Sequence, residues 1–176
     1  MNFCSNCGHP ISFRHLPDDH LPRYVCDNCG TIHYQNPKIV TGCLPVWEDK
    51  VLLCRRAIEP RRGYWNVPAG YMENGETAEE GAKRELWEEA CAQAEITGLH
   101  LLYDIPQINQ VYLHFLGKLR SLDYKAGVES LEVKLFTESE IPWDEIAFTS
   151  SSYSLKRYFE DRKNGFQQFH RSVYRK

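Results

Sequence analysis

Seven glutamates fall within the 17 residues from 73 to 89, and only two basic residues lie among them. Glu85, Glu88 and Glu89 are spaced three and four residues apart, so a helix would place their carboxylates on one face. Like charges at this spacing repel, and an ordinary solvated helix mixes the two signs. Bound cations relieve such repulsion, and hard carboxylate oxygens favour Mg²⁺ or Mn²⁺. The segment therefore predicts a helix with a divalent-metal site, the alternative being a charged face in contact with water.

The same segment predicts the bounds of this helix, from Thr77 to about Ala92. Thr77 is placed to cap the first turn, and Glu80 three residues later completes a capping box. Apolar residues recur every four positions and are expected to form a stripe that faces the core, opposite the carboxylates. The stripe consists of Ala78, Ala82, Leu86 and Ala90.

The N-terminal region contains two Cys-x-x-Cys pairs separated by 18 residues. A glycine follows each pair, Gly8 or Gly30, and lets the backbone turn so that both sulfurs face one centre. Four thiolates at this spacing predict a closed, structural Zn²⁺ site. A pair of redox dithiols is one alternative, and a histidine in place of one thiolate is another. The expected ligands are Cys4, Cys7, Cys26 and Cys29.

Asn36-Pro37 punctuates the chain and indicates a domain boundary. We expect a zinc ribbon at residues 1–34, a larger domain at 37–163 and a C-terminal tail at 164–176. A second helix is predicted at Ser151–Lys163, ended by a glycine. Strands interrupted by two helices indicate an α+β layered domain. The predicted strands are Lys38–Trp47, Val51–Arg55, Glu95–Leu102, Asn109–Leu119 and Val133–Phe136.

The chain as a whole is nearly neutral, with 21 Lys and Arg against 24 Asp and Glu. A dedicated nucleic-acid binder normally carries a strong positive charge, so a nucleic-acid partner is not expected. No apolar run approaches the roughly 18–20 residues of a membrane span, and the N-terminus lacks the layout of a signal peptide. We therefore expect a soluble, cytoplasmic protein with no membrane partner.

From Gly70 onward the sequence follows the spacing Gly-x5-Glu-x7-Arg-Glu-Leu-x-Glu-Glu, with Glu76 and Arg84 at the first glutamate and the arginine. This stretch resembles the Nudix box. Cys91 departs from the pattern, because the box has a glycine there. Residues 63–71, Gly-Tyr-Trp-Asn-Val-Pro-Ala-Gly-Tyr, also resemble the loop that precedes the box in that superfamily. The resemblance implies a Nudix α/β/α sandwich with a mixed sheet, preceded here by the small zinc-ribbon module.

A zinc ribbon in front of a Nudix domain resembles two groups: the NADH pyrophosphatases, and shorter proteins that include FAD and ADP-ribose pyrophosphatases. The first group has a Ser-Gln-Pro-Trp-Pro-Phe-Pro signature after the box, whereas residues 103–110 here are Tyr-Asp-Ile-Pro-Gln-Ile-Asn-Gln. This difference favours the second group. It implies metal-dependent hydrolysis of a nucleoside diphosphate linked to another moiety, with FAD or ADP-ribose as the substrate.

The resemblance also implies ligands for Mg²⁺ or Mn²⁺. Glu85 and Glu89 would be the main ligands. Glu88 would be an additional one, and the main-chain carbonyl of Ala69 a further one.

The remaining catalytic roles follow from the same resemblance. Arg84 would orient the carboxylates through a bidentate pair, and Glu76 would shape the junction of loop and helix. The general base would be Glu85 or Glu129. The alternative for Glu129 is that it is an ordinary loop residue exposed to solvent.

Four residues before and within the loop are candidates for substrate binding. Arg55 and Arg56 are predicted to contact phosphates. The alternative is that both are surface charges in contact with water. Trp65 and Tyr71 could stack on an adenine or isoalloxazine ring, and core packing is the alternative for both.

Two other functions compete with this one. The first is an NADH or NAD-cap pyrophosphatase, which shares the phosphorus chemistry. The second is a regulatory or nucleic-acid-binding protein in which the ribbon does the binding and the Nudix domain only senses a ligand. The complete set of box carboxylates favours an enzyme. The resemblance also suggests a homodimer.

Overall fold

A computed structural model describes residues 1–175 of the 176-residue chain. They form two compact units, one from Met1 to Asn36 and one that begins at Pro37. In the described part of the chain, no helix combines the length and apolar character that crossing a membrane requires.

The first unit is built on a small antiparallel sheet of three strands in the order β1-β2-β3. Such short strands bury little apolar surface, so a unit of this size needs a further source of stability. The strands are β1 (Ser12–Arg14), β2 (Arg23–Val25) and β3 (Ile32–His33).

The second unit is a mixed sheet with a helix on each face. The main path through the sheet is β10-β5-β4-β9-β8-β11, with β6 paired to β5 and β7 paired to β4. The β4–β9 and β8–β11 pairs are parallel and the other pairs are antiparallel. The strands are β4 (Lys38–Trp47), β5 (Lys50–Arg56), β6 (Trp65–Asn66), β7 (Ala69–Tyr71), β8 (Ala94–Ile105), β9 (Gln110–Leu119), β10 (Ser130–Phe136) and β11 (His170–Val173).

The two helices are α1 (Ala78–Ala90) and α2 (Thr149–Asn164), and each covers its own core. Successive residues of a strand point to opposite faces, so Leu52 packs with α1 while Leu53 packs with α2. Both faces of the central strands are buried, which explains their nearly continuous apolar sequence. The predicted α+β sandwich is confirmed.

The start of α1 has the predicted capping box. The Thr77 hydroxyl accepts the Glu80 backbone N–H at 3.2 Å, and the Glu80 carboxylate accepts the Thr77 N–H at 2.8 Å. The helix ends at Ala90, slightly before the predicted position, because Cys91 adopts a left-handed conformation with φ of 48°. The glycine expected by the box pattern at this position would adopt that conformation without strain.

The prediction that the carboxylates lie opposite the apolar stripe is wrong for two of the three. Glu85 and Glu89 are only 9% and 6% exposed and are buried together with Leu86, whereas Glu88 faces solvent. The helix packs against both β4 and β7 of the sheet. The carboxylates at the edge of the stripe are therefore enclosed as well.

The chain end predicted as a tail belongs to the sheet. Beyond Gly165, which ends α2 in a left-handed conformation, β11 pairs with β8 so that His170 lies opposite Leu101. The Tyr174 N–H extends this pairing to the Asp104 carbonyl at 2.8 Å. Four residues paired with a strand distant in sequence give no local pattern from which to predict them.

Replacing Cys91 by glycine is expected to stabilise the protein, because a residue with a side chain is strained at positive φ by about 1–2 kcal/mol. The greater freedom of glycine in the unfolded chain offsets part of this gain, so we expect a net increase of about 0.5–1 kcal/mol. Urea unfolding of Cys91→Gly measures it. Cys91→Ala is the control, since alanine keeps the strain, and an equal gain in both variants would contradict the explanation.

Candidate active site and zinc ribbon

Arg84 on α1 holds the loop before the helix through Glu76. Its Nε donates to one oxygen of Glu76 at 3.0 Å and its Nη2 donates to the other at 2.8 Å. The Glu73 backbone N–H donates to the same carboxylate at 2.7 Å. These hydrogen bonds, above all those from Arg84, lower the pKa of Glu76 to about 2. Glu76 is therefore a permanent anion that binds the loop to the helix.

The other side of the Arg84 guanidinium reaches the predicted metal ligands. Its Nη1 donates to Glu85 at 2.7 Å and to Glu88 at 2.9 Å, and its Nη2 donates to the Tyr71 carbonyl at 3.0 Å. One planar cation thus orients three carboxylates and one main-chain oxygen. These are the contacts that the predicted positioning role of Arg84 requires, and that role stays a prediction.

The glycine of the box is required by close packing. A Cβ atom added at Gly70 would overlap the carboxylate of Glu85. A Cβ at Gly81, inside α1, would lie 2.6 Å from an oxygen of Glu76. The main chain can therefore approach these carboxylates closely only where side chains are absent.

Glu89 is the most deeply buried carboxylate of the group. Its oxygen accepts the Ala69 backbone N–H at 3.2 Å. Burial, together with the neighbouring charges of Glu85 and Glu129, raises the pKa of Glu89 to about 8, although the Ala69 N–H and the charge of Arg56 act in the opposite direction. Burial likewise raises the pKa of Glu85, against the effect of Arg84. A nearby cation would favour the ionised form of both side chains.

The donor atoms available here suit Mg²⁺ or Mn²⁺. They are hard oxygens, from carboxylates and from the main chain of β7, which the β4 pairing fixes in place. In residues 1–175, no three of these carboxylates have oxygens that all lie within 4.8 Å of one another. The Arg84 guanidinium pairs with three carboxylates at this end of the helix.

Glu129 reaches the site through a turn that docks on the end of α1. The Gly127 N–H donates to the Glu89 carbonyl at 2.9 Å, and a Cβ at Gly127 would overlap the Glu88 carbonyl. The Ala57 N–H holds the Glu129 carbonyl at 2.8 Å. The role of Gly127 is not evident from the sequence, where it is an isolated glycine in a loop before a predicted strand.

The two arginines predicted to bind phosphate differ in their surroundings. Arg55 donates to the Gly63 carbonyl at 2.9 Å and lies 3.8 Å from the Glu132 carboxylate. Arg56 donates to the Pro60 carbonyl at 2.8 Å, and its charge lowers the pKa of Glu89. Of the two, Arg56 is therefore the one whose charge acts on the buried carboxylates.

The two aromatic candidates for substrate stacking differ in their exposure to solvent. Trp65 is only 6% exposed and packs edge-on against Phe136 in the core, so its ring is not open for stacking. Tyr71 is 48% exposed, and the Lys38 ammonium lies 4.8 Å from its ring centre. The Tyr71 hydroxyl accepts a hydrogen bond from Gln110 at 2.9 Å. Tyr71 thus has an exposed ring, and its main-chain carbonyl accepts from Arg84 at 3.0 Å.

The four cysteines of the first unit converge on one point. All four sulfur atoms lie within 4.8 Å of one another, with Cys4 and Cys29 separated by 3.7 Å and Cys7 and Cys26 by 3.4 Å. A tetrahedral zinc ion with Zn–S bonds of about 2.3 Å would hold thiolates roughly 3.8 Å apart. The donor set therefore fits Zn²⁺.

The turns around these cysteines are the ones that a ribbon requires. Gly8 and Gly30 have φ of 76° and 72°, and each donates its N–H to the first cysteine of its pair. Side-chain amides of Asn6 and Asn28 donate to sulfur atoms at 3.7 Å. Such N–H donors stabilise thiolates, since they favour the charged form.

Comparisons with known proteins identify a family for each of the two units. A family model described as the Nudix N-terminal zinc ribbon matches residues 2–35, and one described as the NUDIX domain matches residues 36–158. A crystal structure of a NUDIX hydrolase from Nitrosomonas europaea is 54% identical and covers 100% of both chains, with a TM-score of 0.97.

Two relatives have names that specify an activity. A protein of Edwardsiella ictaluri named NAD-capped RNA hydrolase NudC is 36% identical over 128 residues, which are 71% of this chain and 45% of that protein. A protein of Methanocaldococcus jannaschii named ADP-ribose pyrophosphatase is 26% identical over 113 residues, 62% of this chain and 67% of that protein. The chain thus spans less than half of the first relative.

Removing one sulfur ligand should release the zinc of the ribbon. We expect Cys26→Ser to contain one zinc ion per chain fewer than the unmodified protein, because three thiolates bind the ion much more weakly than four. Residues 1–36 should also become more susceptible to proteolysis. Elemental analysis and limited proteolysis measure the two effects. Cys91→Ser, outside the ribbon, should keep its zinc; equal zinc content in Cys26→Ser would contradict the assignment.

Proposed function

The chain belongs to the Nudix hydrolase family, and on that premise we propose that it hydrolyses the pyrophosphate bond of FAD or ADP-ribose with Mg²⁺ or Mn²⁺. The proposal rests on the carboxylate site at the junction of β7 and α1. Glu89 is buried there with a pKa raised to about 8, beside Glu85 and close to the charge of Glu129. Such a concentration of enclosed acid is costly for folding alone and is useful for binding divalent cations.

In this proposal the chain holds the cations through three groups, the carboxylates of Glu85 and Glu89 and the carbonyl of Ala69. Bound cations supply the positive charge that a diphosphate needs beside carboxylates, and they activate the attacking water. Arg84 keeps Glu85 in its position and does not contact the substrate. Glu88 is exposed to solvent and pairs with the same guanidinium, so it is available as an additional ligand.

In this proposal Glu129 is the general base that accepts the proton of the attacking water. Glu85 already accepts a short hydrogen bond from Arg84 on one oxygen, and this proposal assigns its carboxylate to the cations. Glu129 is exposed and near enough for its charge to raise the pKa of Glu85 and Glu89. An exposed carboxylate beside the site can exchange its proton with solvent after each turnover.

Tyr71 is proposed to stack on the adenine or isoalloxazine ring. Its exposed ring adjoins the Arg84 site through its own carbonyl, and Lys38 and Gln110 fix the side chain. Arg56 is the proposed phosphate contact. A homodimer remains a prediction from the family resemblance.

Hydrolysis of NAD-capped RNA is the second candidate, because the relative from Edwardsiella ictaluri has that name. The charges of the ribbon argue against RNA as the main substrate. Arg14 pairs with Asp27 at 3.0 Å and Arg23 pairs with Asp19 at 2.7 Å, so acidic partners offset both arginines. An RNA-binding surface needs unpaired positive charge.

Substitutions of the carboxylates should separate metal binding from proton transfer. Glu89→Gln is expected to lower Mg²⁺-dependent kcat by at least about 100-fold and to weaken Mn²⁺ binding. Glu129→Gln should lower kcat by about 10–100-fold with Mn²⁺ affinity retained, because only the base is lost. Steady-state kinetics and Mn²⁺ titration followed by electron paramagnetic resonance measure both.

Glu79→Gln on the exposed face of α1 is the matched control and should behave like the unmodified protein. Wild-type kinetics in Glu89→Gln would contradict the metal site. Lost Mn²⁺ affinity in Glu129→Gln would make that residue a ligand instead of the base.

A substrate screen decides between the candidates. We expect kcat/KM for ADP-ribose or FAD to exceed that for NADH, nucleoside triphosphates and NAD-capped RNA by at least about tenfold. Tyr71→Ala should raise KM for the preferred substrate about tenfold, since stacking contributes roughly 1–3 kcal/mol per base, and Tyr71→Phe should not. The measurement is product analysis with Mg²⁺ and with Mn²⁺. A preference for NAD-capped RNA would replace the first candidate by the second.

A further inference from the structure

Three side chains outside the carboxylate site meet where the end of the chain joins the sheet. His100 lies in β8, Asp161 in the last turn of α2 and His170 at the start of β11. One ring nitrogen of each histidine and one oxygen of Asp161 all lie within 4.8 Å of one another. Three elements distant in sequence thus bring two imidazoles and a carboxylate to one point.

Asp161 is almost completely buried and is held from two directions. Its Oδ2 atom lies 2.9 Å from Nε2 of His170. The Gln168 backbone N–H donates to Oδ2 at 3.1 Å, and the Gln168 side-chain amide donates to Oδ1 at 3.2 Å. The carboxylate is therefore fixed in orientation before any ligand arrives.

His100 contributes an unused acceptor. Its Nε2 lies 3.0 Å from the Ser154 carbonyl oxygen, which can only accept, so Nε2 bears the proton. Nδ1 then has a free lone pair. The side chain is 1% exposed, and within residues 1–175 this nitrogen has no hydrogen-bond partner. A buried acceptor without a partner costs about 1–3 kcal/mol, which a bound ion would recover.

We propose that His100, Asp161 and His170 form a second metal site, which takes a divalent first-row transition ion such as Zn²⁺. Imidazole nitrogens with one carboxylate are the donors that such ions prefer, whereas Mg²⁺ prefers oxygen alone. A ligating histidine usually donates its other ring N–H to a carbonyl, as His100 does to Ser154. Gln168 fixes the carboxylate ligand in the same way.

The three donors must draw together to bind an ion. Tetrahedral donors at about 2.0–2.2 Å from one zinc ion lie roughly 3.3–3.6 Å apart, so donors that lie within 4.8 Å of one another close by roughly 1.5 Å at most. A cavity of about 260 Å³ adjoins His100 and is also lined by Gln168 and Phe169. It gives water access to the coordination position that three protein ligands leave open.

The proposed ion would join β11 to β8 and α2. Without it, the side-chain contacts among these three residues are the Asp161–His170 pair and the edge-on packing of His100 on His170, at 5.3 Å between ring centres. With it, one coordination sphere would link the last strand to the rest of the sheet. Metal binding should therefore protect the end of the chain from opening.

Cobalt titration of untagged protein tests the site without interference from the others. The ribbon is first filled with a single equivalent of Zn²⁺, which its four thiolates bind more tightly than the proposed site does, and excess Mg²⁺ occupies the carboxylate site. We expect one further Co²⁺ per chain, with ligand-field absorption bands and no thiolate charge-transfer band, because the donors are nitrogen and oxygen. Amide hydrogen exchange in β11 should slow by at least about tenfold when Co²⁺ binds.

Two variants and one control test whether these residues bind the ion. His170→Gln and Asp161→Asn should each weaken Co²⁺ binding by at least about tenfold. His15→Gln, at an exposed histidine of the first unit, should bind as the unmodified protein does. If a variant fails to fold, the wild-type titration and the exchange of β11 still test the site. Absence of this Co²⁺ from the wild-type protein, or unchanged binding in a folded His170→Gln, would overturn it.

Discussion

The arrangement of the carboxylates in the candidate active site depends on the guanidinium of Arg84. It binds Glu76 through two hydrogen bonds and reaches Glu85, Glu88 and the Tyr71 carbonyl with its other donors. Without a cation at this point, three carboxylates and a carbonyl would repel one another at close range. Arginine suits the position because its planar fork holds several acceptors in fixed directions. The loop, the helix and the carboxylates are thus arranged by one side chain.

A second constraint is the close approach of the main chain to these acids. Gly70 lies against Glu85, Gly81 against Glu76 and Gly127 against the end of α1, and a methyl group at any of the three would collide. Glu89 is the most deeply buried of these carboxylates, and its burial raises its pKa. The charge of Arg56 offsets only part of this effect. In the proposed function, bound cations would favour the ionised form of this carboxylate.

The features predicted correctly are those whose physical cause lies within a few residues. The capping box of Thr77 and Glu80 is satisfied within one turn, and the end of α2 at Gly165 follows from the freedom of glycine at positive φ. The turn at each cysteine pair is likewise local, because it depends on the positive φ of Gly8 or Gly30. The predictions for the chain end and for Trp65 were less successful, because burial of a ring and pairing of a four-residue strand depend on partners far away in the sequence.

The sequence by itself determined the class of protein: the spacing of the box specifies the helix, its carboxylates and the arginine, and the cysteine spacing specifies the ribbon. Only the tertiary structure decided which of these groups are buried, that Arg56 acts on Glu89, and that the Gly127 turn brings Glu129 to the site. It alone also brought His100, Asp161 and His170 together. The physical reason is that spacing along a chain fixes geometry only over a turn or two. Desolvation, charge proximity and metal geometry depend on distances between elements that packing alone sets.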